Sequence, residues 1–440
     1  MSKRFFLPTL LILIFVLAGI WFIIKGDLTP PKIVLHKEIK FLGQNQELEF
    51  SVEEQKSKIV SVQVSIKQGG NEKYISNLDF SAKGGLKQDI KLPIKPLALG
   101  LKDGKATLII SARNSFLIRN KTRLEKEVII DTLPPQIGIR SLNHNISMGG
   151  SCLALYTVSK DALKSGIMVG DLFFEGYQIT PDGEAYVAYF ALPWDAPNPT
   201  PIMLIAQDSA GNTTKISFPH LILSKEFIEA RMDISDGFLN QKMPEFSARY
   251  DNLRGENLDI YLKVNSWLRK ECNQKIKDAC SISHPQKLWD GPFLRTEGSP
   301  KAQFAENRTY YYHGKEIDKQ IHLGVDIAAL EQFPVKAANN GIVVFADYLG
   351  IYGNAVIIDH GQGIFSLYGH LSSLKVKTGV EVKKGDVIGN TGTTGLAGGD
   401  HLHFSMLVQG VFVNPKEWWD PHWIKDNITS KLQLVEPTDT

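Results

Sequence analysis

Seven of the eleven histidines in this 440-residue chain fall between His313 and His422. Three short segments there carry reactive groups at close spacing: His322-Leu323-Gly324-Val325-Asp326, Tyr368-Gly369-His370-Leu371 and His401-Leu402-His403-Phe404. Side chains at i and i+2 of a strand share a face. His401 and His403 would therefore present two imidazoles together, with Leu402 and Phe404 turned the other way. Standing alone, that pair reads either as two surface histidines or as part of a metal site. His322 and Asp326 add an imidazole and a carboxylate four residues apart. Gly324 between them favours a turn over a helix, and a turn can aim both at one point. Zinc in catalytic sites commonly takes three protein ligands from histidine and carboxylate and keeps a fourth position for water. A His-Asp-His set suits a catalytic site, whereas a structural site would need a fourth protein ligand and no extra histidine. The glycine-rich approach Gly392-Thr393-Thr394-Gly395-Leu396-Ala397-Gly398-Gly399 leaves the histidine face uncrowded and lets another chain come close.

Taken in order, H-x-x-x-D, Y-G-H-L and, about 80 residues after the first, H-L-H-F resemble the lysostaphin/LytM-type zinc endopeptidases. Gly353-Asn354-Ala355-Val356-Ile357-Ile358-Asp359-His360-Gly361 and Val382-Lys383-Lys384-Gly385-Asp386-Val387-Ile388-Gly389 agree with that resemblance, which covers roughly Leu288 to Trp419. It implies an all-β LytM-type domain of the duplicated hybrid motif, with one Zn2+ per chain held by His322, Asp326 and His403. His370 and His401 are implied as the unliganded catalytic histidines. The expected division has His401 taking the proton of the attacking water and His370 hydrogen-bonding the oxyanion. Peptidoglycan stem peptides are the implied substrate, cut at their cross-links. One departure is Ser405, where the family often has glutamate, and no role is expected for it. Nor is one expected for His313, His360 and His422, read as a turn residue (His360) and two surface side chains. The alternative function is a catalytically inactive LytM-type regulator that binds and activates a cell-wall amidase. All five positions are filled, which favours the enzyme.

The rest of the chain must position or deliver that site. Asp27-Leu28-Thr29-Pro30-Pro31-Lys32-Ile33 is echoed 104 residues later by Asp131-Thr132-Leu133-Pro134-Pro135-Gln136-Ile137. Paired prolines cannot sit in a central strand, so they mark linkers before edge strands. Val60, Val62, Val64 and Ile66 alternate as strand residues do, and a period near 100 residues suits a β-sandwich. Two modules resembling bacterial immunoglobulin-like domains are expected at 27–131 and 132–223, serving as spacers or docking modules. A helical connector is expected at 224–287, with Ser224 as an N-cap and Pro244 and Gly255 as breaks. It would either shield the site or recruit a cell-wall or division-complex partner. The peptidase domain follows at 288–424, then a tail at 425–440. The predicted class is mainly β.

Residues 1–26 read as a cytoplasmic tip and a transmembrane signal anchor. Phe5–Ile24 is an apolar run of twenty residues, about 30 Å as a helix. It lacks a small-x-small cleavage site, and Lys3 and Arg4 favour a cytoplasmic N-terminus. The expectation is a single-pass inner-membrane protein with its catalytic domain in the periplasm. A formal net charge of +2 with no basic block excludes a nucleic-acid partner on composition. Cys272 and Cys280 could close a small disulfide loop, with Cys152 left as a buried thiol.

Overall fold

The computed structural model describes residues 13, 14, 16, 17, 29–115 and 120–435, and the chain divides into two compact units. The first spans residues up to Pro135 together with Gln207–Thr213. Its strands form a five-stranded sheet in the order 41–42, 121–130, 104–114, 59–68, 71–79 and a three-stranded sheet in the order 32–35, 46–53, 87–94. Both feed one core that includes Leu48, Phe50, Val62, Val64, Leu108 and Ile110. The alternation read from Val60 to Ile66 breaks at its first member. The register shifts between Ile59 and Ser61, so Ile59 is buried and Val60 only half-buried. A bulge of this kind moves one residue out of phase.

The second unit spans Gln136–Ala206 and Thr214–Thr440. Its amino-terminal part includes a four-stranded sheet in the order 177–178, 185–191, 151–158, 137–139. Helices and the histidine-bearing sheet complete the unit. A single apolar core runs from Leu153, Val187 and Phe190 to Val356, Tyr368 and Met406. Aromatic rings stitch these segments together: Tyr189, Trp289 and Trp418 lie with ring centroids 5.6–6.4 Å apart. The Trp418 indole N–H donates to Ser151 Oγ at 3.1 Å.

The segment expected to be helical begins as a strand. Residues Glu229–Ile234 (β1) pair in parallel with Glu306–Tyr312 (β2), which pairs antiparallel with Lys315–His322 (β3). Helix α1 then covers Asp236–Arg249, capped by Ser235, whose Oγ accepts from Phe238 N at 3.2 Å. The cap is therefore Ser235 and not Ser224, because the preceding residues are used for pairing with β2, a partner 78 residues away. Pro244 lies inside α1 instead of ending it. Helices α2 (Asn257–Lys263) and α3 (Arg269–Ala279) follow Gly255, joined by one wide turn at Val264–Leu268. Cys272, Cys280 and Cys152 are all buried free thiols. Eight residues of helix separate the first two by about 12 Å, well beyond disulfide reach.

The membrane anchor expected at 5–24 is corrected here. Among the described residues no helix is long and apolar enough to cross a membrane. Of that run only Leu13, Ile14, Val16 and Leu17 are described, and the rest lies outside the described residues. The single-pass inner-membrane placement therefore has no support. Asp27 and Leu28 of the first proline repeat, and residues 436–440 of the tail, lie outside the described residues.

Helix α4 (Pro415–Trp419) carries a titratable link within this unit. Glu417 Oε2 accepts from the Ser151 N–H at 2.9 Å and from Ser151 Oγ at 3.1 Å. Burial nevertheless pushes its carboxyl up to about 7, against the lowering effect of those two bonds. A raised carboxyl favours the folded state while protonated, so this contribution is complete below about pH 4.5 and is lost as pH rises through 7. Glu417→Gln should flatten that loss, worth up to about 3 kcal/mol. The check is the difference between the two proteins' melting temperatures from pH 4.5 to 8, which should grow in favour of the variant.

Candidate metal centre

The histidine-bearing sheet has eight strands, and four of them build the site: Val325–Ala328 (β4), Asn354–Asp359 (β5), Ile364–Leu371 (β6) and Leu402–Val408 (β7). Strands β4 and β7 are antiparallel neighbours, with Asp326 directly opposite His403. Directly opposite residues point to the same face. His322 ends β3 and reaches that face through the two-residue turn Leu323-Gly324. A Cβ on Gly324 would lie 2.5 Å from the His403 ring and 2.6 Å from Ser405 Oγ, so only glycine lets the turn pass this close. Leu402 and Phe404 are buried in the core on the opposite face.

These elements bring one ligand-capable atom each from His322, Asp326 and His403 within 4.8 Å of one another. His322 Nε2 lies 2.9 Å from Asp326 Oδ1 and 3.0 Å from His403 Nδ1, and His403 Nδ1 lies 2.9 Å from the same Oδ1. The protons are turned outward. His322 Nδ1 is 2.9 Å from the Gln303 carbonyl, which can only accept, so Nδ1 carries the hydrogen and Nε2 an exposed lone pair. Ser405 Oγ donates to the Leu323 carbonyl at 2.8 Å, spending its one hydrogen. It must then accept from His403 Nε2 at 3.1 Å, which leaves the lone pair on Nδ1. Two imidazole lone pairs and a carboxylate oxygen converge on one point, and no proton is supplied among them. Such a donor set fits a divalent cation with nitrogen and oxygen preference, zinc among them.

Burial raises the Asp326 carboxyl, but His322, His401 and His403 outweigh it and hold the group well below the usual carboxylate range. Its Oδ2 accepts from Arg308 Nη2 at 3.1 Å, which fixes Oδ1 toward the imidazoles. Burial lowers His403 to about 4, so it is neutral and ligand-ready at physiological pH.

His370 and His401 stand beside this cluster. His370 sits near the end of β6 with φ +63°, a left-handed conformation that costs a non-glycine residue about 1–3 kcal/mol and often marks a functional site. Its Nδ1 donates to the Thr394 carbonyl at 2.9 Å. His401 Nδ1 likewise donates to the Gly399 carbonyl at 2.8 Å, and its Nε2 lies 3.6 Å from Asp326 Oδ1. The two rings are 4.8 Å apart. Burial and the neighbouring His401 and His403 push His370 well below its ordinary value. Burial also lowers His401, but Asp326 outweighs it and the net shift is upward. Both carbonyl partners belong to the glycine-rich loop 392–399, whose role is thus to orient the two imidazoles.

His313 and His422 are exposed, as expected. His360 is fully buried: Nδ1 donates to the Asn340 carbonyl at 2.6 Å, Nε2 lies 2.7 Å from Ser366 Oγ, and the ring meets Phe293 edge-on at 4.8 Å. It is a core linker at the turn between β5 and β6. The sequence reading missed Ser405, Arg308 and the Gln303 carbonyl. Period-two spacing from His403 was the one signal for Ser405, while Arg308 lies on β2 and Gln303 in the loop just before it, neither marked by a sequence motif.

A model of peptidase family M23 matches residues 320–415. The chain carries a peptidase family M23 domain. Over 96 residues the chain is 43% identical to DD-carboxypeptidase/endopeptidase Mpg of Neisseria meningitidis, covering 22% of each protein. It is 35% identical over 125 residues to the murein hydrolase activator EnvC of Escherichia coli, covering 28% of this chain and 30% of that one. The chain thus spans less than a third of either relative's length. Among solved structures, a putative peptidase M23 from Pseudomonas aeruginosa is similar at 20% identity with a TM-score of 0.37, over 62% of this chain and 94% of that one.

Ser405→Ala removes the acceptor that turns His403 Nε2–H away from the cluster. Outer partners of this kind typically contribute about 10- to 100-fold in metal affinity. The variant should lose that much zinc affinity in competition with a chromophoric chelator while keeping the wild-type circular dichroism spectrum.

Proposed function

We propose that the protein is a zinc-dependent endopeptidase that hydrolyses peptide cross-links of peptidoglycan. The observation that carries this reading is the convergence of three deprotonated donor atoms, from His322, Asp326 and His403, with two oriented imidazoles beside them. Those three residues would hold the metal, which when bound supplies a Lewis acid that polarises a scissile carbonyl. His401 offers an unprotonated Nε2 toward the cluster and takes the proton of the attacking water, then returns it to the leaving amine. His370, whose Nδ1–H is fixed on Thr394 and which burial holds neutral, presents its Nε2 lone pair to the same water and orients it by accepting a hydrogen bond, in place of the oxyanion contact expected from the sequence. The names of relatives, DD-endopeptidases among them, support a peptidoglycan substrate.

The domain division is part of the same reading. Residues 288–424 form the peptidase domain, followed by a tail at 425–440. Segment 224–287 is the arm that walls its cleft. Two sheets around one core support an immunoglobulin-like spacer or docking role for the described part of 27–131, and residues 132–223 are read as a second such module. The similarity to EnvC favours a second reading, an amidase activator without its own activity. The filled His370 and His401 positions weigh against it.

The deciding experiment incubates the full chain with purified peptidoglycan, with and without a zinc chelator, and identifies released muropeptides by mass spectrometry. Cross-linked dimers should disappear in favour of monomers, and the chelator should abolish this. His401→Ala and His370→Ala should each lower the rate by about 10²- to 10⁴-fold. Full activity in either variant would sink the mechanism. No release by the wild type, together with stimulation of an added amidase, would establish the activator instead.

A further inference from the structure

The cleft above the metal cluster, about 380 Å³, is walled by residues from outside the family-matched stretch: Met232, Asp233, Phe238, Tyr261, Arg269 and Arg308 among them. Two buried polar atoms of this wall, Tyr261 Oη and Arg308 Nε, have no hydrogen-bond partner among the described residues. Buried donors left unpaired are rare in native proteins and call for a missing partner. Arg269 of α3 adds a third group. Its Nε and Nη2 donate to the main-chain and side-chain oxygens of Asn265, and among the described residues no carboxylate pairs with it.

The cleft's own acceptors are already committed. Asp326 is shared by the imidazoles and Arg308. Glu306 Oε2 accepts from the Gln303 N–H at 3.0 Å and faces Arg308 at 3.9 Å. Asp233 pairs with Arg231 at 2.8 Å. The Tyr261 hydroxyl and Arg308 Nε–H are therefore donors that the wall does not satisfy internally, and Lys301 at the same cleft adds an exposed ammonium.

We propose that this wall is a carboxylate-binding subsite. Arg269, the Tyr261 hydroxyl and Arg308 Nε–H together receive a free carboxylate of the peptide whose scissile bond lies at the His322–Asp326–His403 cluster. The proposal rests on the peptidase reading and narrows its substrate class to acidic peptides. A planar guanidinium matches the two oxygens of a carboxylate. A site built to hydrogen-bond a substrate group also rejects analogues that lack it. None of the three residues falls within 320–415, so this selectivity belongs to the arm and to β2, not to the matched stretch.

The test uses the full chain supplied with zinc and two cross-link-like peptides. They are identical except that the residue supplying the scissile amine ends in a free carboxylate or in its carboxamide. Binding is read by isothermal titration calorimetry and cleavage by initial rates. The wild type should bind the acid about tenfold or more tightly than the amide. Arg269→Gln should bring that ratio close to one, Arg269→Lys should recover part of it, and Tyr261→Phe, which keeps the ring packing, should reduce it. A wild-type ratio of one, or an undiminished ratio in both Arg269→Gln and Tyr261→Phe, would overturn the subsite. Inorganic phosphate provides a control anion. If it displaces the acid peptide at matched concentration, the wall is a general anion site and the carboxylate assignment falls. A preference for binding the acid with neither peptide cleaved would uphold the subsite and reject the peptidase reading.

Discussion

Asp326 stands directly opposite His403 on neighbouring antiparallel strands, and the rest of the site is arranged around that register. A one-residue slip would turn one of the two side chains to the other face, removing a ligand atom and exposing a core residue at once. The buried faces of β4 and β7, with Ile327, Leu402 and Phe404, oppose such a slip. Core packing and site geometry are thus one constraint. Gly324 then admits His322, because any side chain there would strike the His403 ring.

Around this register, main-chain carbonyls and one hydroxyl fix the tautomer of every imidazole in the site. Gln303, Thr394 and Gly399 accept from Nδ1 of His322, His370 and His401, and Ser405 accepts from Nε2 of His403. An acceptor that cannot donate leaves the far nitrogen with its lone pair exposed. The helical arm reinforces this arrangement. Lys242 of α1, itself buried, donates to the Thr393 carbonyl, next to the residue whose carbonyl orients His370. Arm and glycine-rich loop are therefore held together, so the wall of the cleft and the imidazoles inside it share a support.

Much of the site was legible in the sequence because its residues come in short, local patterns. H-x-H on a strand needs only the period-two rule to place both rings on one face, and the turn at Gly324 was readable from the glycine itself. The β-rich character of the chain followed from alternation. Elsewhere local signals pointed the wrong way. Ser224 precedes an apolar stretch as an N-cap would, yet the residues after it pair as β1 with β2, and the helix waits for Ser235. Pro244 looks like a helix end, but the surrounding burial of Leu239, Met243 and Phe246 keeps α1 continuous. His360 does sit in a turn, as its sequence suggests, but the local pattern gave no sign that the turn is buried against Phe293.

The sequence by itself determined which residue types could meet to form a metal centre, since ligand chemistry and strand periodicity are properties of short segments. The tertiary structure decided what those residues do to one another. Only long-range pairing could set Ser405 and Gln303 as the acceptors that turn protons outward. It also brought Arg308 to the back of Asp326 and made Tyr261 and Arg269, from an arm with no motif, part of the cleft wall. Arg308 and Asp326 lie 18 positions apart, Gln303 and His322 19, and Ser405 and the Leu323 carbonyl that takes its hydrogen 82, and no local pattern encodes distances of that kind.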